Sequence, residues 1–416
     1  MSPSRHLAPM PALEFRFQLW RLALAKLRGL WNKSGYWEPG GPVGLTLVPV
    51  PVLPAEDWVR VKTALCGICG SDLKELTLDG APDNPLQTFL SFPQIMGHEV
   101  VGTVEEVGPR ATRVKSGDRV AVSPWLPCRP RGIAPECPRC QAGEFTHCRN
   151  FQRGRLPAGM HLGVTRGYGG FAPYLAAHES QCFVIPEGVS FAAAVLADPF
   201  SVAFHSCLLL EPARSATVLV HGLGVIGLLT VLCLKKIFGV ERVLAVGRYP
   251  FQEKLALGFG AERVFTSRGS RLVEEIAAYT GAELYTPERG SKWTLDGVDA
   301  IVDTIASPAT LEAGMRCLRT RGRLVFTGVS TPRRTENTPH YFKELELIGS
   351  NAFAVETYQG RTAQAFEFFL DFLAERRISP TPLVTHRFPL DQYQPAFNAL
   401  AGKGGSAAVK VVFTFE

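Results

Sequence analysis

The feature that most constrains this chain is a glycine pattern at a strand-to-helix boundary. Gly222-Leu223-Gly224-Val225-Ile226-Gly227 follows the apolar run ATVLVHGL and opens the apolar run VIGLLTVLCLKKIFG. In this context each glycine has a job: the first permits a tight turn and the second lets backbone approach a pyrophosphate. The third lets helix and strand pack closely, with the helix N-terminus facing the negative charge. Behind it ERVLAVG, FQEKLALGFG, GVDAIVDTI, ATLEAGMRCLRT and GRLVFTGV continue the alternation of strand-like and helix-like runs. That alternation predicts a parallel sheet with crossover helices, and the hexapeptide predicts a dinucleotide on it. Residues 281–296 interrupt the pattern and read as a polar surface insertion.

An acid is expected about 20 residues after such a motif, where it would hold a ribose 2′-hydroxyl. That place reads Ala245-Val246-Gly247-Arg248. There is no carboxylate to repel a 2′-phosphate, and an arginine stands ready to pair with one. The expected cofactor is NADP(H) in preference to NAD(H), held by residues 222–227, Gly247 and Arg248.

The N-terminal half has a different rhythm. VRVKTAL, VVGTVEEVG and DRVAV are β-branched runs bounded by Gly, Pro and Asp, and read as short strands. They carry Cys66-Gly-Ile-Cys69-Gly-Ser71-Asp72 and, later, Gly97-His98-Glu99. A thiolate and an imidazole from separate loops suit zinc, and an open fourth position leaves room for substrate. The third protein ligand should be an acid or a thiolate. The candidate is Asp198, in Leu196-Ala197-Asp198-Pro199-Phe200, with Glu99, adjacent to His98, as the competitor. Cys66 reads as a strand-end packing residue rather than a ligand. Between residues 124 and 150 the chain is loop-like and carries Cys137-x2-Cys140-x7-Cys148, with Cys128 upstream. Four thiolates on one irregular lobe predict a closed structural zinc site.

With 416 residues, 46% hydrophobic and 20% charged, the chain has the length for two ordinary domains and the composition for real cores. A net charge of +6 is too small and scattered to argue for nucleic acid. Ten cysteines in a large chain without a secretory signal point to metal and thiolate chemistry and a cytoplasmic setting. No apolar run is long enough to span a bilayer. Residues 15–33, FRFQLWRLALAKLRGLWNK, carry Arg16, Arg21, Lys26, Arg28 and Lys33 with no acid. Such a stretch could touch a membrane or serve as a transit segment. An element packed on the domain or at a subunit contact is the reading preferred here.

Taken together, GICGSD, GHEVVGTVEEVG, GDRVAV, the cysteine lobe, GGFA-Y, DPFSVAFH, HGLGVIG, RGRLVFTG and KELELIGS resemble the zinc-dependent medium-chain dehydrogenase/reductase superfamily. Alcohol, sorbitol and threonine dehydrogenases belong to it. The resemblance runs from about residue 40 to the end. It implies α/β plus β architecture: a GroES-like catalytic domain at 41–200 and 350–416, with a zinc lobe at 124–150, enclosing a Rossmann domain at 201–349. Residues 1–40 would be an extension. It further implies hydride transfer between a nicotinamide and an alcohol, polyol, aldehyde or ketone, and a homo-oligomer. Asp198-Pro-Phe-Ser-Val resembles the polyol and threonine dehydrogenase branch, where an acid replaces a third thiolate. On this reading Cys69, Ser71, His98, Glu99 and Asp198 form the catalytic centre, with Ser71 relaying the proton and Asp72 orienting His98.

The sequence also departs from the family pattern. The first structural-zinc cysteine slot holds Ala134, and Cys128 is the nearby replacement. Lys74 stands where many members place a relay histidine. Two rival readings share the fold: a non-catalytic NADPH-binding protein, and a zinc-free quinone or enoyl reductase.

Overall fold

The structure is a computed structural model that describes residues 8–81, 83–329 and 334–415. The parallel sheet expected from the alternating pattern is present. It has six strands, in the order Arg263–Phe265, Arg242–Val246, Thr217–His221, Val298–Asp303, Leu318–Phe326 and Glu346–Gly349. All five pairings are parallel. Every residue of Thr217–His221 is buried, as a central strand with helices on both faces requires. The helix Val225–Lys236 starts at the glycine motif and buries nearly its whole length.

The second large sheet is mostly antiparallel. Its order is Val384–Pro389, Lys410–Thr414, Trp58–Gly67, Glu99–Val107, Arg119–Val122 and Cys182–Val184, with Tyr174–His178 also paired to Trp58–Gly67. The chain's closing strand thus returns to the N-terminal half, aligning Val412 with Gly67 and Phe413 with Cys66. Valine-rich strands suit this pleated, buried surface.

The two halves are joined through the helix Ala197–Leu210, which is apolar on nearly all sides. Phe200 and Phe204 on it meet Phe369 and Phe372 of the helix Ala365–Ala374, with Phe200 and Phe369 ring centroids 4.6 Å apart. A helix apolar all round belongs in an interior, which is where this one lies.

Two stretches gain detail beyond the sequence reading. Residues 281–296 lie mostly at the surface, as an insertion would, and carry structure of their own. Leu284–Tyr285 and Trp293–Thr294 pair as a small hairpin, and Thr294 is fully buried. Within the N-terminal extension the described residues include an element packed on the domain, the reading preferred above. Met10–Phe15 is a strand between Val43–Val48 and Gln94–Ile95, in register from Met10↔Val48 to Phe15↔Val43. Its burial pattern is almost continuous, since Ala12, Leu13 and Phe15 enter the core. What stands out is the segment 16–42, inserted between two hydrogen-bonded strands. It contains the helix Leu19–Gly29 and a 3₁₀ turn, Lys33–Tyr36. Leu22 and Ala25 bury one face of that helix. Trp37 anchors the segment, packing 5.7 Å from Phe397 and donating from Nε1 to Asn398 Oδ1 at 2.8 Å.

Candidate active site

The strand Trp58–Gly67 ends just before Cys69, which caps the helix Gly70–Thr77. The Cys69 N–H donates to Asp72 Oδ2 at 2.8 Å, and Asp72 Oδ1 lies 3.5 Å from His98 Nδ1. One buried carboxylate therefore fixes both the loop carrying the thiol and the imidazole ring facing it. His98 and Glu99 stand at the start of the strand Glu99–Val107, paired to Trp58–Gly67 by Glu99↔Gly67. A Cβ at Gly67 would sit 1.9 Å from Glu99 Oε2, so only glycine leaves room for that carboxylate.

One ligand atom each from Cys69, His98 and Glu99 lie within 4.8 Å of one another. A thiolate, an imidazole and a carboxylate with an open side are a donor set that fits catalytic zinc. Cys66 is outside this group; burial pushes its thiol well above the ordinary range, in keeping with a packing role. Asp198 is also outside the trio. It lies in the first turn of Ala197–Leu210, is buried, and lines the same cleft, where burial pushes its carboxyl up to about 7.

Three residues here were not singled out from the sequence. Lys410 is the first: its Nζ donates to both oxygens of Glu99 at 2.6 Å and to Ile68 O at 3.1 Å, and both side chains are 1% exposed. A lone lysine inside the apolar strand AAVKVVFTF was the available signal. His161 is the second, with its ring centroid 5.2 Å from that of His98; burial, with the nearby His98, pushes it down to about 4 and keeps it neutral. Glu75 is the third. Burial, with the Asp72 charge, pushes its carboxyl up to about 8.

Ser71 is exposed and faces the cleft. Lys74, in the place of the relay histidine, donates from Nζ to Val329 O at 2.5 Å. It ties the catalytic side of the cleft to the dinucleotide side.

The cysteine lobe closes on itself. Ligand atoms of Cys128, Cys137, Cys140 and Cys148 lie within 4.8 Å of one another, so Cys128 completes the set that Ala134 leaves short. Amide N–H groups point at the sulfurs: Asn150 Nδ2 reaches Cys128 at 3.1 Å, and Asn150 N reaches Cys148 at 3.3 Å. Cys137 N donates to Cys128 at 3.3 Å. Four thiols so arranged, with donors to stabilise thiolate charge, fit structural zinc.

On the opposite wall of the cleft the glycine motif takes the form its spacing implies. A Cβ at Gly227 would meet Gly222 O at 1.8 Å, so the third glycine allows the helix to pack on the turn. Gly222, Leu223, Gly224, Val225 and Ile226 line the cleft with Gly247 and Arg248. Thr304 Oγ1 donates to Gly222 O at 3.1 Å and steadies the turn. Arg248 is exposed, lies 5.4 Å over the Tyr249 ring, and shares the cleft wall with Arg268. His221 Nδ1, at the end of the central strand, is buried without a hydrogen-bond partner among the described residues. A glycine turn, a helix N-terminus and free guanidinium groups fit a dinucleotide.

Comparison with known proteins supports the same assignment. Residues 55–187 match the alcohol dehydrogenase GroES-like domain, and residues 225–371 match the zinc-binding dehydrogenase model. The chain is 27% identical to L-idonate 5-dehydrogenase of Vitis vinifera, over 85% of this chain and 87% of the relative. The structure superposes with a TM-score of 0.74 on a short chain alcohol dehydrogenase (rspB) from E. coli CFT073 complexed with NADH. That match is at 25% identity and covers 98% of this chain and 100% of the other. A Sinorhizobium meliloti 1021 protein bound to NADP superposes at 0.72, with 24% identity, 98% of this chain covered and 100% of the other. The antiparallel sheet is thus the GroES-like part and the parallel sheet the Rossmann part. The chain belongs to the zinc-dependent medium-chain dehydrogenase/reductase superfamily, as a zinc-binding oxidoreductase of the alcohol and polyol dehydrogenase type.

Proposed function

We propose that this oxidoreductase works with NADP(H) rather than NAD(H), and that Cys69, His98 and Glu99 hold its catalytic zinc. The observation that carries the reading is the cleft itself: the ligand trio and the glycine turn with Arg248 line one continuous space. When bound, zinc supplies Lewis-acid polarisation of the substrate oxygen and the nicotinamide supplies the hydride partner. The chain's own residues do the rest. Asp72 holds His98 in orientation, as positioning carboxylates do for ligating histidines. Lys410 fixes Glu99 and offsets its charge inside a dry site. Ser71 passes the substrate's hydroxyl proton between the inner cleft and water. The N-terminus of Val225–Lys236 receives the pyrophosphate, and Arg248 pairs with the 2′-phosphate. Asp198 lies in the same cleft and is the alternative third ligand, Glu99 being favoured by the clustering of ligand atoms.

On this reading residues 41–200 and 350–416 act as the catalytic unit, with the zinc lobe at 124–150, and residues 201–349 as the cofactor unit. A homo-oligomer in the cytoplasm, without nucleic-acid or membrane partners, is part of the proposal. Among the described residues no helix is long and apolar enough to cross a membrane.

Arg248→Ala tests the cofactor assignment. kcat/KM for NADPH should fall by roughly tenfold to a hundredfold, the loss of one charge-assisted phosphate contact, while that for NADH changes little. Equal losses with both cofactors would sink the 2′-phosphate role.

A further inference from the structure

The cleft holds about 1880 Å³. Single small-molecule pockets run to about 300–1,000 Å³, so the cleft has room for a cofactor together with a second sizeable ligand. Its walls taken together are mainly apolar, with Glu75, Asn84, Gln87, Thr146 and His147 among the polar residues on them. From the ligand His98 a row of rings runs outward: His161 at 5.2 Å, Trp125 at 5.4 Å from His161, Phe151 at 6.1 Å from Trp125 and Phe89 at 5.5 Å from Phe151. Three residues beyond Phe89, Phe92 packs 5.1 Å from Phe17, where the inserted segment 16–42 begins. Leu19 and Leu22 of the inserted helix, with Leu86, also line the cleft. Phe17, Leu19 and Leu86 are 53%, 77% and 43% exposed.

A polyol carries a hydroxyl on each carbon, and a buried hydroxyl without a partner costs about 1–3 kcal/mol. Past His161 this wall of Trp125, Phe151, Phe89 and Phe92 is hydrocarbon apart from one polar atom, Trp125 Nε1, which is unpartnered among the described residues. We propose that the cleft takes a long-chain alcohol or carbonyl compound. Its oxygen lies at the Cys69 and His98 end, and its hydrocarbon tail follows the aromatic wall to the inserted helix. This rests on the dehydrogenase reading above and names its substrate class. The inserted segment serves as the outer wall of a tail channel.

The test is a homologous series of straight-chain alcohols and aldehydes, from ethanol and acetaldehyde to their twelve-carbon counterparts, with sorbitol as the polar control. The full-length, zinc-loaded protein is assayed with both nicotinamide cofactors. kcat/KM should climb by up to about fourfold per added methylene until the tail reaches the mouth. In Leu19→Ser/Leu86→Ser the ratio of ten-carbon to four-carbon kcat/KM should fall by about tenfold, the value of two lost apolar contacts. Leu30→Ser, at a position 81% exposed and off the cleft wall, should leave that ratio unchanged. A flat profile, or sorbitol preferred over decanol, overturns the inference while leaving the dehydrogenase reading standing. Absence of turnover with every compound counts against that reading instead. Calorimetric titration with decanol and with sorbitol then decides the inference without turnover. Decanol binding that weakens in the double variant supports it, and no decanol binding overturns it.

Discussion

At the residue scale the centre depends on a pair that are distant in sequence. Lys410 and Glu99 are 311 positions apart, and their ion pair is almost wholly dry. Removing one partner of such a pair leaves a buried charge uncompensated, at about 3–5 kcal/mol. Lys410→Met should therefore lower the urea-unfolding free energy by that order and loosen zinc at the Cys69 site, read by metal content after dialysis. Lys410→Arg should retain most of both. A methionine variant as stable and as zinc-replete as the parent would remove the lysine from the account. Such a pair is hard to read from sequence, since no local spacing links the two positions. Cys69, His98 and the four lobe cysteines were legible because metal ligands need particular residue types and several lie at fixed short spacing. The sequence reading puts Asp198 ahead of Glu99 as the third ligand, whereas the ligand atoms cluster Glu99 with Cys69 and His98; either acid satisfies the chemistry, and only position separates them.

Lys343 gives a second prediction at this scale. It is fully buried, and its Nζ donates to Leu318 O at 2.6 Å and Thr294 O at 3.1 Å. Burial, partly opposed by Cys317, pushes its ammonium down from the usual 10.5 to about 8. Below pH 8 both folded and unfolded chains carry the proton. Between about 8 and 10.5 the unfolded chain still binds it and the folded chain has released it, so this group's contribution to stability rises with pH. Relative to Lys343→Met, the parent should gain on the order of 1 to 3 kcal/mol across that window in pH-resolved urea unfolding. A difference independent of pH would contradict this.

At the element scale the parallel sheet and its glycine turn were readable because alternating strands and helices leave a period change in the sequence. The stretch TAQAFEFFLDFLAERR reads as one helix from residue 362, and is helical only in part. Arg361–Gln364 pairs with Val355–Tyr358, and the helix begins at Ala365. Strand Met10–Phe15 was obscured by the basic segment that follows it, since its partner strand lies beyond that insertion. The cysteine lobe is an element with little secondary structure of its own, so its fold should depend on metal. Cys128→Ser should remove about one zinc equivalent per chain and open residues 128–148 to limited proteolysis, because closed zinc sites contribute folding energy directly. Unchanged zinc content and protease resistance would mean that Cys128 is not a ligand.

At the scale of the whole molecule the working space lies between two sheets of different origin. The helix Ala197–Leu210 carries Asp198 to the cleft and its phenylalanines into the shared core, while Lys74 reaches across to Val329. Fold and chemistry were legible at this level because many short motifs recur in a fixed order. The substrate channel was not, because its walls come from residues 15–22, 86–92, 125 and 151, which only the fold assembles. The central claim is that redox turnover in this cleft requires zinc. It is tested most directly by steady-state turnover of alcohols and carbonyl compounds, with zinc content measured alongside, before chelation, after chelation and after zinc is restored. Activity should vanish as zinc leaves the Cys69 site and return with it, while cofactor binding persists. Turnover that continues undiminished in protein shown to be free of zinc would contradict the account.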